Sequence, residues 1–513
     1  MLTDLKALVV VLCVSYPVFR LAAPICFRFT RQEDFYRRRM VWFVLTTVAF
    51  LAPSFWLYVL VAIPLLAWSA RRDANPASIY FLMYFVIPPI RVYIPVVGIN
   101  QLFDLNQFRI LSLTVLLPVA WRLFQSPERG ENNKFTLTDT LVLSYALLCL
   151  VQFVPYESPT NTMRRAFELF LDSIVVYYVF SRLALSRAAL IDTLAAFCLA
   201  CAIFAPLAVF ESVKAWLLYA NLGERWGVPN EFAYLMRGES LRAQVSTGHA
   251  LALGSVLATG FAFWLYLQSR IPSRFQSLLV AGLMWIGMLA AYSRAPWIMA
   301  ALMFFLFLLL SPRGMSKFVK WALLAGVVGG IVLVSPLGDR IVDNLPFVGS
   351  VDQANVVYRQ ELARLSWILI QENPFFGDPF VLRNMESLRQ GQGIIDLVNG
   401  FASVALFHGL VGLSLFCGIF TLGMWRTWLL LRHSRLGDPD LSLLGASLLA
   451  CMLGTLFFVA TAGLSSLLFP LTGLLASYAN LALVADSNPG RSGGERGAAQ
   501  TLSSGRGGRL HAR

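Results

Sequence analysis

Charge is scarce in this sequence, and the residue patterns most enzymes use for chemistry are scarcer. Only 13% of the 513 residues are Asp, Glu, Lys or Arg, while 58% are hydrophobic. A soluble globular domain carries about 25% charged residues, so a water-soluble protein is excluded. There are four histidines, no HExxH pair, no acidic pair expected on the outer side, and no Walker A loop. Metal-centred and nucleotide-driven chemistry therefore lack their usual ligands, and no cofactor is expected. The only DxD, 438-DPD-440, lies near Arg426, Arg432 and Arg435 in a loop assigned to the cytoplasm. No basic patch is interleaved with aromatics as single strands require, so the net charge of +13 does not point to nucleic acid. All seven cysteines fall in or beside apolar runs. The CxxC of Cys198 and Cys201 sits inside an expected helix and reads as packing, and no disulfide framework follows.

Long apolar runs are what the sequence does have. A helix needs about 20 residues to cross roughly 30 Å of hydrocarbon. Spans are expected near 6–22, 39–52, 54–70, 78–97, 108–124, 137–154, 165–182, 188–210, 246–267, 276–292, 296–311, 319–336, 397–421, 441–462 and 464–484. The expected fold is an all-α polytopic bundle of about 12–15 transmembrane helices. The first run has no strongly basic flank and reads as a retained helix. Arginine and lysine concentrate in one set of short loops, among them 28-RFTRQEDFYRRR-39, 71-RRD-73, 129-RGENNK-134, 270-RIPSR-274 and 426-RTWLLLRHSR-435. The positive-inside rule places these in the cytoplasm. The tail 486–513, rich in Gly, Ser and Arg, reads as disordered.

Two long segments on the opposite side, about 211–245 and 337–396, break that rule. The first holds Lys214, Arg225, Arg237 and Arg242; the second holds Arg340, Arg359, Arg364, Arg383 and Arg389. Topology gives these charges no reason, which makes them candidates for an anionic partner. Within the second loop, 356-VVYRQELARLSWILIQENPFFGDP-379 reads as an amphipathic helix with Leu362, Leu365, Ile368 and Leu369 on one side. Asn373-Pro374 stops it. The domain division that follows is 1–200, 201–336, 337–396, 397–485 and 486–513.

Four features share this outer level: Arg242 and His249 in 242-RAQVSTGH-249, Arg294 in 293-SRAPW-297, Arg359 with Arg364, and Asp396 with Asn399 in 394-IIDLVNG-400. Guanidinium forks match phosphate oxygens and stay charged. Each feature also has a plain structural explanation. Arg294 would anchor a helix at the interface, Arg242 would be an ordinary loop charge, and His249 would bond to backbone. Arg364 would pair with Glu361 at i,i+3, and Asp396 and Asn399 would cap a helix. Elsewhere, Glu168 and Asp172 lie at i,i+4 inside a span, with Arg91 as a possible internal partner for Asp172. Glu211 is a spare candidate base, and His408 reads as structural.

The segments 242-RAQVSTGHALALG-254, 292-YSRAPW-297, 359-RQELARLSWILIQENPFFGDP-379 and 394-IIDLVNGFASVALFHGLVGL-413, in this order, resemble the O-antigen ligase and O-antigen polymerase family of bacterial envelope proteins. The resemblance implies a GT-C-type helical bundle in the cell inner membrane, with a large periplasmic loop over a cavity. It implies metal-independent glycosyl transfer from an undecaprenyl-diphosphate-linked glycan donor to a saccharide acceptor. Arg242 and Arg294 would hold the diphosphate, with Arg359 and Arg364 on the loop helix, and His249, Asp396 and Asn399 near the reacting hydroxyl. A chain-length regulator or a flippase would be the protein partners. Ligase-type members often carry a histidine near the end of the external loop. This chain has 396-DLVN-399 there, which favours a polymerase for exopolysaccharide or O-antigen. The alternatives are a ligase acting on lipid A-core or protein, a polysaccharide transporter or flippase, and a non-catalytic assembly scaffold.

Overall fold

The computed structural model describes residues 2–86, 89–94, 103–125, 135–183, 186–229, 232–237, 239–312, 314–334, 353–389 and 393–487. Residues 488–513 of the expected tail, the basic stretch 129–134, and 335–352 with Arg340 lie outside the described residues.

The chain folds as an all-α polytopic bundle. Its helices are α1 (Leu2–Cys26), α2 (Gln32–Leu51), α3 (Phe55–Arg72), α4 (Pro76–Met83), α5 (Gln107–Gln125), α6 (Leu137–Val151), α7 (159–183), α8 (Arg187–Lys214), α9 (Ala250–Leu267), α10 (Arg274–Ala290), α11 (Arg294–Leu310), α12 (Gly314–Val334), α13 (Gln353–Glu372), α14 (Gly400–Gly437), α15 (Pro439–Ala462) and α16 (Leu468–Ser487). Among the described residues, eight helices are long and apolar enough to cross a membrane, and four more are shorter and apolar.

α8 is apolar around its whole circumference from Leu194 to Phe210 and is almost wholly buried there, as expected of a stretch with no polar face. It packs against α1, α4, α9 and α10. Small residues permit the close approach: a Cβ on Gly260 would lie 2.4 Å from the Cys201 sulfur, and one on Gly287 would lie 2.7 Å from the Ala205 backbone. Cys198 and Cys201 point their thiols at helix carbonyls of Gly260 and Val256. At the other side of α8, Asp192 accepts two bonds from Arg38 of α2 (2.8 and 2.9 Å), which also holds Asp73 (2.7 Å). This buried network ties α2, the α3–α4 link and α8 together, and it accounts for charges that loop composition alone assigned to topology.

Three expectations are corrected. Of the span expected at 78–97, the described residues are helical only to Met83, and Val92–Tyr93 pairs antiparallel with Asp104–Leu105; 87–88 and 95–97 lie outside the described residues. Two consecutive prolines at 88 and 89 supply no N–H and disfavour a helix before them. The stretch 426–435, expected as a loop, is a helical continuation of α14, because nothing in it breaks a helix and Arg432 stacks 4.2 Å over Trp428. On α13, Leu362 and Leu369 are buried while Ile368 is exposed, so the inward stripe runs through Leu362, Leu365 and Leu369.

α14 is interrupted at Gly409, whose φ of 62° and ψ of −167° suit glycine alone. The segment 373-NPFFGDP-379 docks on that break. Leu406 O accepts from the Asp378 N–H (2.9 Å), while the Leu410 and Val411 N–H groups donate to Pro374 O (2.7 Å) and Phe375 O (3.1 Å). The backbone groups freed by the break are thus satisfied, as burial in an apolar setting requires. A Cβ on Gly409 would lie 2.3 Å from the Phe375 backbone. Gly409→Ala is expected to cost about 2 kcal/mol or more. Limited proteolysis of the 373–389 segment and a melting curve in detergent would read this as earlier cleavage and a lower midpoint.

Candidate active site

The C-terminal ends of α8 and α10, the start of α11 and the described residues between 232 and 249 converge on one corner. The α10–α11 turn places Tyr292 in the left-handed region (φ 44°), which turns the chain sharply before Arg294 opens α11. Three bonds stitch the loop to this turn. Arg242 donates to the Ser293 hydroxyl (2.7 Å), Arg237 to Tyr292 O (2.9 Å), and the Ala243 N–H to Ala290 O (3.1 Å). Ser293 is the N-cap residue of α11, yet its hydroxyl makes no cap bond to that helix. It serves Arg242 instead. Two arginines far apart in sequence, Arg242 and Arg294, are therefore brought to one helix N-terminus, where the macrodipole already favours an anion. Pro296 locks the turn from below: a Cβ on Gly254 of α9 would lie 2.6 Å from its ring.

Beside this corner is a cavity of about 250 Å³, with His249 and Asp396 in its walls. His249 is the N-cap of α9; its Nδ1 accepts from the Leu251 N–H (3.2 Å). That bond leaves the proton on Nε2 in the neutral ring. His249 is exposed at the cavity; desolvation by nearby protein atoms still pushes its pKa down and the charge of Arg242 adds to this, with Asp396 acting the other way. The shift favours the neutral ring, whose proton sits on Nε2. Asp396 is held by its backbone: Tyr358 of α13 donates its hydroxyl to Asp396 O (3.1 Å) and accepts from the Asp396 N–H (3.0 Å). The carboxylate stays exposed on the cavity wall.

The other expected residues fall elsewhere. Asn399 caps α14, its Oδ1 accepting from the Phe401 and Ala402 N–H groups (3.0 and 3.1 Å). Arg359 donates to Thr461 O at the end of α15 (3.3 Å), next to the cavity residues Ala462 and Leu464. Arg364 is bidentate to Glu361 (2.6 and 3.0 Å) on the exposed face of α13. Of the remaining displaced arginines, Arg225 donates to Leu51 O at the end of α2 (2.7 Å), and Arg389 pairs with Glu386 (2.6 Å). His408 bonds to Gln152 and contacts Cys149, a packing role.

Several participants were not anticipated. The far wall of the cavity comes from the broken α4 segment (Tyr84, Phe85), from Gln107 and Phe108 of α5, and from Ser465 and Ser466. Next to that wall Arg109 binds Asp172 (2.7 Å) and Asp104, and lies 3.3 Å from Glu168. This gives Asp172 a partner in Arg109. Both neighbouring helices carry a π-helical turn here, 112–116 and 170–174, a feature frequent at functional sites. Among the described residues, no group of three or more His, Cys, Asp or Glu is arranged to hold a metal ion.

Residues 279–417 match a family model described as O-antigen ligase. The match runs from α10 through Arg294, α13 and Asp396 to the first half of α14, while Arg242 and His249 precede it. It supports assigning the chain to the O-antigen ligase and polymerase family, and with it glycan transfer of that general type in a membrane. No curated protein matches the chain.

Proposed function

We propose that the protein is a polysaccharide polymerase of the bacterial inner membrane. It would transfer undecaprenyl-diphosphate-linked glycan units onto an acceptor sugar hydroxyl at a site open to the periplasm. The observation that carries this reading is that His249 and Asp396 line one cavity, while Arg242, whose charge acts on His249, is bonded to the Arg294 turn next to it. In the reaction, the acceptor oxygen bonds to the anomeric carbon of the donor sugar, and the bond from that carbon to the diphosphate breaks. The electron pair leaves on undecaprenyl diphosphate. Arg242 and Arg294 offset the charge developing there. The hydroxyl proton passes to the Asp396 carboxylate, and His249 orients the acceptor through its Nε2–H. The leaving group is already activated, so neither a nucleotide nor a metal ion is needed.

Ligase activity is the second reading, favoured by the description of the matched family. A flippase fits less well. Its charges would run through several spans along a water-filled path, whereas here the inner-side charges pair among themselves, as in Arg38 with Asp73 and Asp192 and Arg187 with Asp438 and Asp440. Deletion of the gene separates the three. A polymerase leaves single lipid-linked repeat units, a ligase leaves long lipid-linked chains, and a flippase leaves repeats on the cytoplasmic leaflet. Either of the last two outcomes contradicts the proposal.

A further inference from the structure

Glu211 is fully buried in the last turn of α8. In the sequence it looked like a spare base. Its surroundings give it different work. One carboxylate oxygen accepts from the Leu218 N–H (2.9 Å); the other accepts from the N–H groups of Gln244 (2.9 Å) and Val245 (2.7 Å). Both oxygens face backbone donors, and the side chain is not part of the cavity wall. Two of the clamped residues, Gln244 and Val245, lie between Arg242 and His249. Val245 is a β-branched residue at φ 48°, a conformation that persists only where neighbours enforce it. Further along, the Ser246 hydroxyl donates to Phe85 O on the broken α4 segment. The chain from Arg242 to His249 is thus bent through a strained residue, and a carboxylate from another helix holds the bend.

We propose that Glu211 is a positioning residue of the transfer site: its carboxylate fixes the backbone at Gln244 and Val245, and through it the placement of Arg242 relative to His249. This rests on the reading of the cavity as the site of glycan transfer. Glutamine at 211 is nearly isosteric but turns an NH2 group towards at least one of these N–H donors. The strained bend then loses its restraint while the apolar packing is kept.

The test is a double-mutant cycle on the full chain in lipid nanodiscs, with undecaprenyl diphosphate as the titrated ligand. Glu211→Gln is expected to weaken binding by on the order of tenfold in the wild-type background and by less than about twofold on top of Arg242→Ala. Asp192→Asn, which breaks the buried network at the opposite end of α8, controls for general loss of stability. It is expected to lower the melting temperature and leave affinity unchanged. If Glu211→Gln does not fold, Glu211→Asp, which keeps the charge and withdraws both oxygens, carries the same expectation. Unchanged affinity in Glu211→Gln or Glu211→Asp, or an equal loss in both backgrounds, overturns the assignment. Wild-type affinity in Arg242→Ala alone would instead overturn the transfer-site reading beneath it.

Discussion

Arg242→Ala is expected to lower transfer by about 100- to 1,000-fold, the usual loss when one preorganised donor to a developing charge is removed. The effect should be large because Arg242 is not a mobile surface charge. Its guanidinium is fixed on the Ser293 hydroxyl, and its backbone N–H donates to Leu235 O (3.0 Å). Such a group needs no reorganisation as the diphosphate leaves. Arg242→Lys should restore little, since an ammonium reproduces neither the fork nor the bond to Ser293 together with a phosphate contact. Steady-state transfer rates at matched protein levels read this directly. A variant with more than about a third of wild-type activity would remove Arg242 from the site.

Asp396→Asn is expected to lower the rate by about 100- to 10,000-fold, the range for loss of a positioned general base. Asparagine is isosteric, and Tyr358 holds position 396 through the backbone, so the loss should appear with the fold intact. His249→Ala is expected to be milder. With Nδ1 accepting from Leu251 N–H, the ring offers a donor to the cavity, and a donor that orients the acceptor is worth less than the base that takes its proton. A larger loss in His249→Ala than in Asp396→Asn would reverse these roles.

Much of this architecture is legible in the sequence because its strongest signals are local. Apolar runs of membrane length become helices at nearly the expected positions, as at α10 and α11 on either side of Ser293. Local polar pairs are legible too: Arg364 at i,i+3 from Glu361 forms the expected surface pair, and Asn399 caps α14. What could not be read is long-range geometry. Nothing local says that Arg242 bonds Ser293 across 51 residues, or that Asp172 meets Arg109 across 63. Nor does the segment 374–378 reveal that it fills a break in α14, although Gly377 and Gly409 are spaced for contact once the chain doubles back. Charge alone marks Glu211 in the sequence. Its role came from three backbone donors that only the folded loop supplies.

On the proposed function, one protein forms a glycosidic bond and frees polyprenyl diphosphate without a metal or nucleotide. The most direct measurement uses the purified full chain in vesicles holding a defined undecaprenyl-diphosphate-linked repeat unit, with chelator present and no other protein. Free undecaprenyl diphosphate and glycan length are followed together. One undecaprenyl diphosphate is expected to be released for each bond formed, with chains longer than one repeat unit. Repeat units that cross the bilayer unchanged, or bond formation that the chelator abolishes and a divalent ion restores, would contradict it.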